Sequence, residues 1–270
     1  TAKSTLEGGP VLFDTRDTWL YIPDDRRGWG GKGDWGTGRY TADNPPYGAV
    51  FSYYLPEALQ SLKEQRQEAE KEIAKDGGDT PYPSWDALRR EDREESPSVV
   101  LTVRDADGRV VQRLDGPTGK GYHRVSWNMR YPAPDPVNLT PPANLAPWQS
   151  PPQGPMALPG TYSVSLSKRV GGELTELAAA KTFVLKPLFE GGLVTADRQG
   201  LLEFQLQTAD LYRAVTGANA AMDEIQARID HLMKAVTDTP SSTEDHAQAL
   251  RSLNGRMQDL NVALNGDHTI

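Results

Sequence analysis

The feature that most constrains this sequence is a stripe of residues, apolar except for one Thr, that recurs at alternating spacings of three and four in the C-terminal third. Such a heptad pattern keeps one side of an α-helix apolar, and it does not fit a β-strand, whose side chains alternate with a period of two. It predicts one long helix. The stripe comprises Leu201, Phe204, Thr208, Leu211, Val215, Ala218, Met222, Ile225, Ile229, Leu232 and Val236.

A second, shorter stripe follows a break in the pattern. Pro240 ends the first stripe, and Ser241-Ser242-Thr243-Glu244 has the form of a capping box. Two apolar stripes joined by a short turn predict an antiparallel helical hairpin over residues 195–265. The heptad stripe also permits helix-mediated dimerisation. The second stripe comprises Leu250, Leu253, Met257, Leu260 and Leu264.

The middle of the chain alternates as a β-sheet does. Val99, Leu101 and Val103 share one face and precede Asp105-Ala106-Asp107-Gly108, where Asp-Gly between two apolar runs is a strong hairpin signal. Short strands separated by Gly and Pro turns predict an α+β protein. Its β part is expected to be an antiparallel immunoglobulin/fibronectin-like β-sandwich over residues 48–190, ahead of the helical hairpin.

Three other segments have distinct compositions. Residues 1–47 form an irregular, aromatic and Gly-rich lead-in. Residues 56–97 are densely charged, and we expect Pro56 to open a helix that runs to Lys75, with a second short helix after it, as a solvated insertion between strands. Residues 131–159 carry ten of the 21 prolines and predict a long, semi-rigid loop.

Composition excludes several classes of function. The net charge of −8 argues against nucleic-acid binding, which needs clustered Lys and Arg. The chain has no Cys, and hence no disulfide or thiolate site. No apolar run is long enough to span a bilayer. The N-terminus has neither an initiating Met nor a signal peptide, so we expect a processed or excised piece.

Few residues suggest a binding site, and none indicates a cofactor or a metal. Exposed aromatic rings stack on sugars or partner proteins, so Trp29, Trp35, Tyr40 and Trp148 are candidate ligand-binding residues. The alternative is that Trp29 and Trp35 only anchor an irregular loop. The four His residues do not form a metal-binding pattern, and no nucleophile motif indicates a catalytic residue.

Four ordered segments resemble the C-terminal region of large bacterial proteins with sortilin-like or BNR-type β-propellers, often labelled glycosyl hydrolases. They run from Asn44 to Val50 followed by Tyr53-Tyr54-Leu55, from Val103 to Val111, from His123 to Tyr131, and from Leu158 to Val164. The resemblance implies an extracytoplasmic setting, periplasmic or secreted, and a preceding propeller domain as partner. It transfers no catalytic residue to this chain.

We therefore expect a non-catalytic accessory or structural module that packs on a propeller or presents an interaction surface. Two alternatives stay open. The module could bind carbohydrate through its exposed aromatic rings. It could instead contribute carboxylates to a glycoside-hydrolase-like assembly, because two such groups need only be close in space.

Overall fold

The computed structural model describes residues 8–23, 45–137, 151–188 and 197–267. Within these ranges the chain forms eight strands and four helices. The strands are β1 (Val11–Leu12), β2 (Thr18–Leu20), β3 (Ala49–Leu55), β4 (Ser98–Arg104), β5 (Val110–Gly116), β6 (Gly121–Trp127), β7 (Gly160–Val170) and β8 (Glu173–Pro187). The helices are α1 (Leu62–Lys75), α2 (Trp85–Arg93), α3 (Arg198–Asp238) and α4 (Glu244–Asn265).

The strands form two sheets. The smaller sheet has the order β1-β3-β6, and the larger has the order β2-β8-β7-β4-β5. β3 shows strict alternation, with Ala49, Phe51, Tyr53 and Leu55 buried and the residues between them half-buried. β4 lies between β7 and β5 and is buried from Val99 to Val103, as expected for a central strand.

The predicted antiparallel immunoglobulin/fibronectin-like sandwich is wrong. β2 runs parallel to β8, with Thr18 beside Leu185, so the five-stranded sheet is mixed. The two sheets form a curled half-barrel. Register shifts between Val103 and Arg104, and around Leu166, bend the larger sheet. The α+β class and the C-terminal helix pair are observed. The local pattern identified strands, but it held no information about this parallel pairing.

An aromatic cluster joins the two sheets. The Phe183 ring of β8 lies 5.4 Å from the Phe51 ring of β3 and 6.3 Å from Trp127 of β6. Tyr162 packs on both Trp127 and Phe183. Its hydroxyl donates to Leu158 O at 2.8 Å, and burial raises the pKa of Tyr162 to about 12. The four rings therefore pack as one cluster, which is typical of dense protein cores.

The 56–97 insertion contains the two expected helices, but the first begins later than predicted. α1 starts at Leu62 because Ser61 and Glu64 form a reciprocal capping box, with Ser61 N donating to the Glu64 carboxylate at 2.8 Å. Pro56 follows directly on β3 and lies outside the helix. The guanidinium of Arg66 joins the helices, donating to both carboxylate oxygens of Glu91 at 2.7 and 2.9 Å.

The chain divides into two compact units. One comprises residues 1–132 and 155–202, and the other comprises residues 133–154 and 203–270. The second unit holds most of α3, which has 41 residues, and all of α4, which has 22. Gln226 of α3 donates to Asn254 of α4 at 3.0 Å, and Asn265 donates to Asn219 at 2.9 Å. The two helices therefore run antiparallel, as the paired stripes predicted.

Candidate functional site

In the part of the chain that the structure describes, side chains on one face of the three-stranded sheet, the face that points away from the core, are half-buried or exposed. Because side chains alternate along a strand, the residues between the buried positions of β3 and β6 share this outer face. Tyr54 pairs with Tyr122, Ser52 with Arg124 and Val50 with Ser126. The β3 members are half-buried, and the β6 members are exposed. We call this surface the outer face.

Three aromatic rings occupy one end of the outer face. Tyr122 stacks on Phe13, with ring centroids 5.6 Å apart and planes 18° apart. The Tyr54 ring lies 5.1 Å from the Tyr122 ring on the neighbouring strand. Phe13 extends β1 by donating its amide to Ser52 O at 3.0 Å. We call Phe13, Tyr54 and Tyr122 the aromatic triad.

A groove occupies the other end of the outer face. Three parts of the chain line it: the stretch from Asp14 to Pro23, the stretch from Pro45 to Ser52, and Arg124 of β6. Its volume is about 1190 Å³. Typical small-molecule pockets measure about 300–1,000 Å³. The groove is therefore large enough for a protein segment or a chain of sugars.

Aromatic side chains form part of the groove wall. Trp19 of β2 is 54% exposed and Tyr21 is 40% exposed. The Tyr47 ring meets Tyr21 edge-on at 5.1 Å, and its hydroxyl donates to Tyr21 O. Partial burial raises the pKa of Tyr47, so its hydroxyl stays protonated and serves as a donor. This contact ties the stretch after β2 to the stretch before β3.

The charges around the groove are distributed unequally. Asp14 pairs with Lys181 at 2.8 Å, and Asp17 pairs with Lys186 at 2.6 Å, both lysines being on β8. The hydrogen bond from Lys186 lowers the pKa of Asp17. Among the described residues, no ion pair engages Arg16 or Arg124. The groove can therefore offer two guanidinium groups to a ligand.

The sequence did not identify this site. The four predicted ligand-binding residues, Trp29, Trp35, Tyr40 and Trp148, lie outside the described residues. Trp19 and Tyr21 were part of the segment predicted to be irregular. The available signal was the alternation in residues 49–55 and 121–127, which assigns Tyr54 and Tyr122 to the face opposite the core.

In the described ranges, no group of three or more His, Asp or Glu residues could hold a metal ion. His123 instead bonds Gly119 O through Nε2 at 2.6 Å and packs on the Tyr53 ring. None of the helices in this part of the chain combines the length and apolarity needed to cross a membrane.

Comparisons of this chain with protein-family models, with curated proteins and with solved structures found no match.

Proposed function

We propose that this chain is a non-catalytic interaction module that follows a β-propeller in a larger exported bacterial protein, and that its outer face docks on that propeller. The outer face is the observation that carries this proposal. It combines a groove of about 1190 Å³ with exposed aromatic side chains, including Tyr122 at 58% exposure. Exposed aromatic side chains beside polar ones commonly mark an interaction site.

The composition of the outer face is typical of a protein-binding surface. Energetically dominant interface residues are enriched in Trp, Tyr and Arg. Trp19, Tyr21 and Tyr122 supply rigid rings with a polar edge, and Arg16 and Arg124 supply charge. The surface of the partner should therefore carry carboxylates, which pair with guanidinium groups, beside apolar side chains, which pack on aromatic rings.

The family resemblance supports a propeller as the partner. Two of the four resembling segments contribute to the groove. The segment from Asn44 to Val50 supplies part of its wall, including Tyr47, and the segment from His123 to Tyr131 supplies Arg124. The proposed docking surface and the residues that carry the resemblance therefore overlap.

Binding between this chain and the polypeptide that precedes it in the native protein tests the proposal. We expect the double variant Trp19→Ala/Tyr122→Ala to weaken binding at least tenfold, since two anchor rings are lost. The matched control is Tyr82→Ala/Trp85→Ala, which removes an aromatic pair at the start of α2 that is 76% and 69% exposed. Equal affinities for the wild-type chain and both variants would contradict docking through the outer face.

Carbohydrate binding is the second candidate function. The exposed rings of Trp19 and Tyr21 share one groove with charged side chains, which is a combination that can bind sugars. An oligosaccharide that binds the isolated chain, and whose binding Trp19→Ala abolishes, would favour this function over propeller docking. The aromatic residues predicted from sequence, Trp29, Trp35, Tyr40 and Trp148, stay predictions for the same ligand class.

A further inference from the structure

The long helix α3 carries two adjacent apolar seams, and α4 covers only one of them. On the covered side, Ile229 of α3 and Leu250 of α4 are buried, retaining only 4% and 8% exposure. Gln226 and Asn219 bond α4 residues on the same side. Because α4 has 22 residues against 41 in α3, it cannot pair with the whole length of α3.

The second seam is exposed along its full length. Its members alternate at spacings of three and four, as the members of a coiled-coil seam do. Four are large apolar residues: Phe204 is 66% exposed, Leu211 65%, Ile225 44% and Leu232 52%. Every member is exposed. We call this surface the open seam, and it comprises Phe204, Gln207, Leu211, Ala214, Ala218, Ala221, Ile225, Arg228, Leu232 and Ala235.

Charge is nearly absent from the open seam. Arg228 is its one charged member, and the guanidinium donates to Glu224 of the same helix at 2.5 Å. The other charged residues of α3, such as Asp210, Asp223 and Lys234, lie off the seam. A solvated helix face normally carries charge, so the composition of the open seam is that of a face covered by another helix.

The order of residue sizes along the open seam is self-complementary. When two copies of the seam run antiparallel about a two-fold axis between Ala218 and Ala221, each large residue faces a smaller or flexible one. Ala218 faces Ala221 at the centre, which allows the helices to approach closely. Phe204 then faces Ala235, Leu232 faces Gln207, Ile225 faces Ala214, and Leu211 faces the aliphatic stem of Arg228.

We propose that this chain forms a homodimer in which the open seams of two copies pair antiparallel. The arrangement is isologous, as a two-fold interface requires. From Phe204 to Ala235 the seam is about 47 Å long at 1.5 Å per residue, on a helix about 11 Å in diameter. Covering a third to a half of the circumference buries roughly 500–800 Å² per copy, which reaches the range of stable interfaces at about 600–1,000 Å².

Sedimentation of the full chain tests dimer formation. We expect a concentration-dependent dimer, at twice 29.6 kDa, in the micromolar range. Leu211→Lys and Ile225→Lys each place a charge in the seam and should give a monomer. Leu260→Lys changes a 56% exposed residue of α4 and should leave the dimer intact. A wild-type monomer throughout, or dissociation by Leu260→Lys as readily as by Leu211→Lys, would overturn the proposal.

Disulfide trapping tests the antiparallel geometry, since the chain has no Cys of its own. Ala218→Cys mixed with Ala221→Cys should cross-link on mild oxidation. Ala220→Cys, exposed on another side of α3, should not cross-link. Gln207→Cys alone should not cross-link either, because its two copies would lie about 38 Å apart along the axis. Self-linking of Gln207→Cys would show a parallel pair and would overturn the antiparallel proposal, as would efficient linking through Ala220→Cys.

Discussion

At the scale of single residues, Gly48 fixes how closely β3 approaches β6. It has a φ of +101°, and a Cβ built on it would lie 1.9 Å from the backbone oxygen of Trp127. Both the backbone conformation and the contact exclude a side chain. The sequence did not reveal this, because the opposing backbone comes from 79 residues away. Alternation along β6 and β7 is a simpler signal, because it places Trp127 and Tyr162 on the apolar side of their strands.

Gly48→Ala should lower the free energy of unfolding of the unit that contains the sheets by about 4 kcal/mol or more. The alanine must adopt a strained positive φ, and the backbone of β6 must also move to make room for its Cβ. Gly108→Ala is the matched control. Gly108 also has a positive φ, +79°, but has open space around it, so only the conformational cost of about 1–3 kcal/mol applies. Urea unfolding of both variants measures the difference, and equal losses of unfolding free energy would show that the close approach to Trp127 has no effect.

At the scale of elements, the local sequence determines where the helices begin, whereas the order of strands in the sheets depends on pairing between distant parts of the chain. The capping box at Ser61 and Glu64 determines where α1 begins and overrides the preference of Pro56 for a first helical turn. The Asp105 to Gly108 hairpin is confirmed, with Gly108 N donating to Asp105 O at 3.1 Å. β2, in contrast, could not be predicted locally. It has only three residues, too few to show a period or to indicate that it pairs in parallel with β8.

Asp17 stabilises the pairing of β2 with β8, and this contribution should depend on pH. Its carboxylate bonds Lys186 at 2.6 Å and accepts from Val184 N at 3.2 Å. The hydrogen bond from Lys186 holds the pKa of Asp17 below its ordinary value of 3.8. A carboxyl with a lowered folded-state pKa contributes stability that is present above the unfolded pKa and is lost as the pH falls through the folded pKa.

A carboxyl titration followed by NMR measures this effect. We expect the pKa of Asp17 to lie below 3.8 in the wild-type chain and to rise in Lys186→Met. Lys181→Met, which removes the neighbouring ion pair with Asp14, should leave the pKa of Asp17 unchanged. An Asp17 pKa that is the same in Lys186→Met and in the wild type would show that Lys186 does not lower it, and would contradict the pH-dependent contribution of this pair.

At the scale of the whole molecule, the sequence predicted which secondary-structure elements the fold contains, but it did not predict the candidate site. The switch from β alternation to a heptad stripe predicted both the α+β class and the helix pair. The groove is assembled from β2, the residues before β3, and Arg124 of β6, which are more than 100 residues apart at the extremes. No local pattern specifies such a site, because the strand order that brings these parts together is a property of the complete sheet.

The central claim is that the outer face docks on another part of the native protein. Hydroxyl-radical footprinting, applied to the isolated chain and to the native protein from its source, measures this most directly. We predict that oxidation of Trp19, Tyr21 and Tyr122 falls severalfold in the native protein, while oxidation of Tyr82 and Trp85, which are 76% and 69% exposed, does not change. Equal oxidation of Trp19 and Tyr122 in both samples would contradict the claim.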